Sequence, residues 1–348
     1  MNREQTINAF SQLGTIMKEL GNGNEFPGVS LGITESEYLE LQRTVNKQVQ
    51  FNGWFTKNSV HQSLNALGGW LEKDQLESWL ATYSWSEQPK RIGIIMAGNI
   101  PLVGFHDLLC VVLSGNTAVC KMSSDDKTLL PALVNVLYHF LPDLKERIVL
   151  SEGKIGEINA VIATGSNNSH VYFEQYFGKY PHIFRKNRTS IAILDDTELE
   201  TELTELGADI FSYFGLGCRN VSHLLLPEGY DFTAFFQGIF PHSDVINHFK
   251  YGNNYDYNKT VYLMNQLPLL DNNFVLLRET EDLHSPLAMV HYHFYKNDTD
   301  IHNYLKQHED ALQVIVGKGH TPFGRAQSPG LSDYADGIDT MLWLNNLH

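Results

Sequence analysis

Hydrophobic and polar positions change rhythm once along this chain, at Pro89. Up to about residue 88 the apolar residues recur at three-to-four spacing. Ile7, Phe10, Leu13, Ile16, Met17 and Leu20 mark one face of the N-terminal segment, and "SEYLELQRTVNKQVQ" and "VHQSLNALGGWLEKDQLESWLATY" keep the same spacing. That period predicts amphipathic helices. Beyond Pro89 short apolar runs alternate with helical stretches. "RIGIIMAGN" ends in Gly98-Asn99 and predicts a strand buried on both faces of a parallel sheet. "IPLVGFHDLLCVVLSG" predicts a helix closed by Gly115, "NTAVCKMS" a second strand and "LLPALVNVLYHFLPDL" a second helix. "ERIVLSEG", "NAVIATGS" and "HVYFEQYFG" continue the alternation, "TSIAILDD" adds a strand, and a helix from about Glu198 to Phe214 runs into a glycine-rich turn around Cys218. After that turn "VSHLLLP", "KTVYLMN", "NFVLLRET", "LAMVHYHFY" and "ALQVIVGKG" predict the strands of a second α/β unit. "SPGLSDYADGIDTMLWL" predicts a turn-rich segment finishing in an apolar strand. The fold class expected is α/β, a parallel sheet with helices on both faces followed by a second α/β unit. The boundary between the two is expected near Phe184 to Thr189.

Composition narrows the class. The 348 residues suffice for two domains and a sizeable core, and 43% hydrophobic content is that of an ordinary soluble globular protein. A formal net charge of −15 argues against nucleic acid or an anionic membrane surface as the main partner. The longest apolar run, Ile100 to Val119, carries His106, Asp107, Ser114 and Asn116, so a buried core segment is expected and not a membrane span. The polar start and one-faced pattern of the N-terminus predict a surface helix and not a signal peptide. Three cysteines without metal-type spacing fit a reducing compartment, and a cytoplasmic protein is expected.

The chemistry-bearing positions are few. Cys218 sits between Gly217 and Arg219 at the turn, where a small apolar filler and a thiolate nucleophile are both open readings. No GxGxxG occurs, so the usual dinucleotide fingerprint is absent. Asn99 has two readings: a helix-capping residue ahead of a helix-starting Pro101, or an amide donor to a developing oxyanion. Lys179, Arg185, Lys186 and Arg188 make "GKYPHIFRKNR" basic, as a solvated loop, as a holder of the phosphates of CoA or of a cofactor, or as a source of charge that depresses the thiol pKa, and Arg219 is also a candidate to stabilise a thiolate. Cys110 and Cys120 read as core residues. Fifteen histidines include His106, His170, His182 and His223 near these stretches, none with a partner spacing that marks it out, and no metal site is supported.

Taken in order, "IGIIMAGNIPLVG", "LSGNTAVCKMS", "VIATGS" and "FGLGCRNVSHLLLP" resemble the aldehyde dehydrogenase superfamily. With the ending "GRAQSPGLSDYADGIDTMLWL" they resemble more narrowly its acyl-CoA reductase branch typified by LuxC. The resemblance covers roughly residues 90 to 348. It implies a cofactor domain with N-terminal helices over 1–186, a catalytic domain over 187–325, and a C-terminal segment over 326–348 with a strand that pairs with a neighbouring subunit in a homo-oligomer. It further implies Cys218 as nucleophile and Asn99 as oxyanion donor. Lys121, Ser124, Thr164, Gly165 and Ser166 would contact a nicotinamide dinucleotide, Lys121 at the adenosine ribose and Ser166 beside the pyrophosphate. Aldehyde-oxidising members carry a Glu upstream of the cysteine to activate water; here Phe184 falls at that place, with no acid before Asp195. The implied activity is reduction of fatty acyl-CoA, or an acyl-protein thioester, to aldehyde. Ser124 stands where NAD-preferring relatives carry a Glu, so NADPH is expected at least as well as NADH. Three alternatives stay open: a short-chain CoA-acylating aldehyde dehydrogenase, a cofactor-free Cys acyltransferase or thioesterase, and a silent subunit of a fatty-acid reductase complex.

Overall fold

A computed structural model describes residues 1–151, 153–165 and 167–347, and nothing of the Asn167 side chain. The chain divides into two units, one formed by Met1–Lys186 with Gly330–His348 and the other by Asn187–Pro329.

The first unit opens with four helices, α1 (Arg3–Gly21), α2 (Glu35–Phe51), α3 (Lys57–Trp70) and α4 (Lys73–Leu80). Capping explains where two of them start. Asn2 and Thr34 each accept the backbone N–H three residues on while Gln5 and Glu37 reach back, a reciprocal arrangement that satisfies otherwise unpaired donors. The apolar faces of α1 and α3 supply core residues, Phe10, Leu13, Ile16 and Leu64 among them. Then come β1 (Arg91–Ile95), α5 (Phe105–Leu113), β2 (Thr117–Lys121), α6 (Leu129–Phe140), β3 (Ile148–Ser151), β4 (Ala160–Thr164), α7 (Asn167–Phe177) and β5 (His182–Arg185). All five strands are parallel, in the order β3-β2-β1-β4-β5. The continuous burial of Ile92 to Ile94 and of Thr117 to Cys120 is what a sheet covered on both faces requires.

The second unit holds β6 (Thr189–Ile193), α8 (Glu200–Phe211), β7 (Val221–Pro227), α9 (Phe232–Ile239), α10 (Phe249–Met264), β8 (Leu270–Asp271), β9 (Leu276–Glu279), β10 (Met289–Tyr295), α11 (Asp298–Gln307) and β11 (Leu312–Gly317). Its sheet runs β11-β6-β7-β10-β9-β8, parallel except for the β8–β9 pair.

Two expected strands are helices. "KTVYLMN" lies at the end of α10, where an apolar run too short to show a period follows ten polar-rich helical residues. "GIDTMLWL" contributes α12 (Thr340–Asn345), opened by the Asp339 carboxylate accepting the Leu342 N–H at 2.8 Å. Met341 and Leu344 are buried in the first unit's core, and the helix packs on α5. The segment expected to offer a strand to a neighbouring subunit therefore completes its own unit. Among the described residues no helix is long and apolar enough to cross a membrane.

Candidate active site

Strand order in the first unit locates a crevice. The chain winds outward from β1 to β2 and β3 on one side and to β4 and β5 on the other, and open parallel sheets bind ligands at the strand C-termini beside such a reversal. Asn99 follows β1, Lys121 ends β2 with Ser124 just beyond it, and Thr164 ends β4 with Gly165 next. A cleft of about 350 Å³ opens there, lined by Ile95, Met96, Lys121, Ser123, Ser124 and Lys127 among others. Lys121, Ser124 and Lys127 are exposed, so two cations and a neutral hydroxyl face one hollow. Ser166 lies outside the described residues.

Asn99 is exposed but caps no helix. Gly104 is the residue before α5, and Pro101 lies in the turn ahead of it. The chain turns there because Leu102 adopts φ 60° and its N–H donates to Asp126 Oδ2 at 2.9 Å. The capping reading is thereby replaced: Asn99 stands on a separate turn between strand and helix.

The basic stretch splits. Lys179 and Lys186 are exposed. Arg185, expected as a phosphate holder or as part of a solvated loop, is only 5% exposed, and its guanidinium is occupied by Asp107, Thr340 and the Ala335 carbonyl. Arg188 donates to the Leu312 carbonyl at 2.9 Å. Phe184 packs among His170, Phe173 and His182, stacked on His182 at 4.0 Å.

In the second unit, the Cys218 turn is held from beneath by residues that sequence reasoning passed over. Asn220 is buried; its Oδ1 accepts the Gly217 N–H at 2.8 Å, and its Nδ2 donates to the carbonyls of Asp209, Ile210 and Ser212 at 3.1, 3.2 and 2.8 Å. One side chain thus ties the end of α8 to the loop on the far side of the turn. Ser190 Oγ donates to the Cys218 carbonyl at 2.9 Å while accepting the Val314 N–H at 3.1 Å. Tyr213, Phe214 and Gly215 sit at φ 51°, 60° and 81°. Consecutive left-handed residues cost energy at the two that are not glycine, and such conformations persist where surrounding bonds enforce them, often at functional sites. The fixed backbone presents Cys218 exposed, whereas Cys110 and Cys120 are fully buried. Burial pushes both of those thiols well above the ordinary range, so neither is a nucleophile near neutral pH. A hollow of about 70 Å³ flanks the turn, with Phe214, Gly215, Ser222, Tyr251, Ser285 and Leu287 among the residues in its wall.

"GRA" in the C-terminal signature docks beside the same turn. Buried Asp209 accepts the N–H groups of Gly324 and Ala326 at 2.7 and 2.9 Å, and Arg219 Nη1 donates to the Ala326 carbonyl at 3.2 Å. Burial raises the Asp209 carboxyl to about 6 against the pull of those two N–H groups.

Three histidines form a row, His223 and His291 buried and His293 half-buried. His223 and His291 each place Nδ1 against the Asp282 carbonyl, at 3.1 and 2.8 Å, so both nitrogens carry a proton. His223 Nε2 then accepts from His293 Nδ1 at 2.8 Å. Burial, and secondarily His293, drives the His223 imidazole down to about 3. His291 and His293 alternate along "HYHF" as a strand requires, but their link to His223 is not visible in the spacing, because His223 comes from β7 and the other two from β10. Among the described residues no group of three or more His, Cys, Asp or Glu is arranged to hold a metal ion.

Comparison with known proteins fits this geometry. Solved structures that resemble the chain include proline utilization A with proline bound in remote sites (13% identity, TM-score 0.64, 91% of this chain and 36% of that one). They also include a mutant of Thermus thermophilus 1-pyrroline-5-carboxylate dehydrogenase (12%, 0.63, 99% and 80%). A third is a mutant of P. syringae indole-3-acetaldehyde dehydrogenase in complex with NAD+ and IAA (10%, 0.61, 91% and 72%). The chain thus spans about a third of the length of proline utilization A and most of the other two. At these identities the likeness shows the fold, which is that of the aldehyde dehydrogenases. No curated protein matches the chain. A sequence model described as acyl-CoA reductase (LuxC) matches residues 34–229, more than half of the chain and inclusive of the Asn99, Lys121 and Cys218 segments, and the chain belongs to that family.

Proposed function

We propose that this protein reduces a fatty acyl thioester, acyl-CoA or acyl-protein, to the aldehyde through an acyl group carried on Cys218. The observation that carries the reading is the Cys218 turn, an exposed thiol on a backbone fixed by Asn220 and Ser190 while the other two thiols are buried. The Cys218 thiolate attacks the thioester carbonyl carbon, the carbon–sulfur bond to CoA breaks, and CoA leaves with the electron pair. By family resemblance Asn99 donates to the oxyanion of that step. The cleft at the ends of β1 and β2 suits a dinucleotide: Lys121 and Lys127 offer positive charge, and Ser124 leaves room for a 2′-phosphate, favouring NADPH with NADH also accepted. A reduced nicotinamide held by these residues would supply the hydride that the acyl carbon takes up. The aldehyde carbonyl re-forms as the carbon–sulfur bond breaks and Cys218 departs as thiolate. Phe184, packed among aromatic rings in place of an acid, supplies no base for hydrolysis, which suits an acyl-enzyme that waits for hydride. A homo-oligomer, and association with other fatty-acid reductase subunits, belong to the same proposal, with light scattering as their test.

The test is to mix the protein with a long-chain acyl-CoA and no dinucleotide. One acyl group should appear on Cys218 by intact mass and peptide mapping, hydroxylamine should remove it, and NADPH should discharge it as aldehyde. An adduct elsewhere, or full turnover in Cys218→Ala, overturns the reading. A thioesterase would release free acid without NADPH, and a short-chain CoA-acylating dehydrogenase would lose turnover as the chain lengthens.

A further inference from the structure

Asp126, in the loop between β2 and α6, is 7% exposed, and its carboxyl has a single hydrogen-bond partner among the described residues. Its Oδ2 accepts the Leu102 N–H at 2.9 Å, and its Oδ1 has no hydrogen-bond partner. A buried carboxylate so poorly satisfied works against folding, and burial raises it to about 6. It serves no helix cap, since Thr128 stands at the start of α6.

What Asp126 does hold is the turn that carries Asn99. Leu102 is buried at φ 60°, a conformation a leucine keeps only when held there. Its carbonyl accepts the Phe105 N–H at 2.9 Å where α5 begins. Ser63 anchors the same turn through the Pro101 carbonyl at 2.8 Å. The residue before Asn99 is tied to the Asp126 loop as well. A Cβ on Gly98 would fall 2.4 Å from Ser123 Oγ, so only glycine allows the two loops to approach this closely. Asn52 Nδ2 bridges them further, toward the Gly98 and Asp125 carbonyls at 3.5 and 3.4 Å.

We propose that Asp126 is a positioning residue, fixing the Asn99 turn through Leu102 and acting on the reaction through Asn99. The inference rests on the oxyanion role given to Asn99 above.

The experiment follows the rate of Cys218 acylation by a long-chain acyl-CoA, without dinucleotide, by quenched intact-mass time courses. Asn99→Ala should slow acylation about 100-fold, the scale of losing one oxyanion donor. Asp126→Ala should slow it about tenfold at saturating acyl-CoA, with the half-saturating concentration unchanged, because a displaced donor harms the transition state more than binding. Asp126→Asn should recover most of the rate, since its amide oxygen still accepts the Leu102 N–H. Placed in the Asn99→Ala background, Asp126→Ala should cost nothing further. If Asp126→Ala melts at assay temperature, Asp126→Leu, which removes the acceptor but restores volume, makes the same comparison. Equal losses in both backgrounds, or a wild-type rate in Asp126→Ala, overturn the proposal while the proposed function stands. An Asn99→Ala variant that acylates at full rate overturns the oxyanion assignment and the role of Asp126 with it.

Discussion

Arg185 and Asp107 form a two-pronged ion pair inside the first unit, Nη2 lying 2.5 Å from Oδ1 and Nε 3.3 Å from Oδ2. The same guanidinium donates to Thr340 Oγ1 at 3.0 Å and to the Ala335 carbonyl at 2.9 Å. The end of β5, the first turn of α5 and the returning segment 330–348 therefore meet on one side chain. Removing either charge strands the other in the interior, which costs about 3–5 kcal/mol. Arg185→Ala should lose stability on that scale in urea denaturation and expose residues 330–348 to protease first. Asp107→Asn with Arg185→Met should lose less, because no lone charge is left behind. Equal losses for the single and double variants would show that burial of an unpaired charge is not the cause.

Asn220 makes four hydrogen bonds around the cysteine turn and is buried beneath it. Asn220→Ala leaves buried backbone groups unpaired and should destabilise the protein by roughly 2–4 kcal/mol. It should also cut Cys218 acylation at temperatures where the variant is folded. Asn220→Asp, which keeps one acceptor and loses the amide donors, should fall between the two. Folded Asn220→Ala acylating at the wild-type rate would remove the turn from the account of reactivity.

Cofactor preference should move with one residue. Ser124 lines the cleft together with Lys121 and Lys127. Ser124→Glu introduces a carboxylate that repels a 2′-phosphate and accepts from ribose hydroxyls, so the NADPH-to-NADH ratio of kcat/KM should fall at least about tenfold. Dinucleotide fluorescence titration should report the same shift in Kd. An unchanged ratio would place the ribose elsewhere.

Acid should weaken the second unit through its histidines. His223 titrates near 3 in the folded protein, and burial also lowers His291 and His293. Above an ordinary histidine value of about 6.5 these groups are neutral in both states and cost nothing. As pH falls below 6.5 the unfolded chain takes up protons that the folded one refuses, so stability drops, by up to about 1.4 kcal/mol per pH unit for each group. Asp126 and Asp209, raised to about 6, act oppositely and add stability as pH falls from 6 toward 4. His223→Gln cannot take up the proton, so the stability gap between wild type and variant should narrow steadily from pH 7 to pH 5. A gap constant across denaturation curves at pH 7, 6 and 5 would contradict the assignment.

The centre of the first unit's parallel sheet was readable because β1, β2 and β4 are short apolar runs buried on both faces, each separated from the next by a helical stretch. The terminal helix was not. Met341, Leu342, Trp343 and Leu344 are continuously apolar, and only the Asp339 cap and the cover they give to α5 decide for helix. Similarly, Cys218 stood out by its glycines and Asn99 by the strand it follows. Asn220, Ser190 and Asp126 did not, because each works by reaching backbone groups distant in sequence, and such pairings leave no local pattern. Arg185 was misread for a related reason: a basic run looks solvated until the carboxylate that buries one member is found 78 residues away.

The return of residues 330–348 to the first unit carries a consequence for biosynthesis. During translation the sheet that bears the cleft emerges complete, yet Thr340, Met341 and Leu344 of its core, and the acceptors that share Arg185 with Asp107, arrive only after Asn187–Pro329 has been made. The second unit, continuous in sequence, can close while the first still waits with an apolar gap beside α5. Contacts of such long sequence separation form slowly, and exposed apolar surface in the interval invites aggregation. The nascent first unit is therefore the part of this chain that most needs chaperone cover, and ribosome-bound fragments ending before residue 330 should engage holdases more strongly than the released protein.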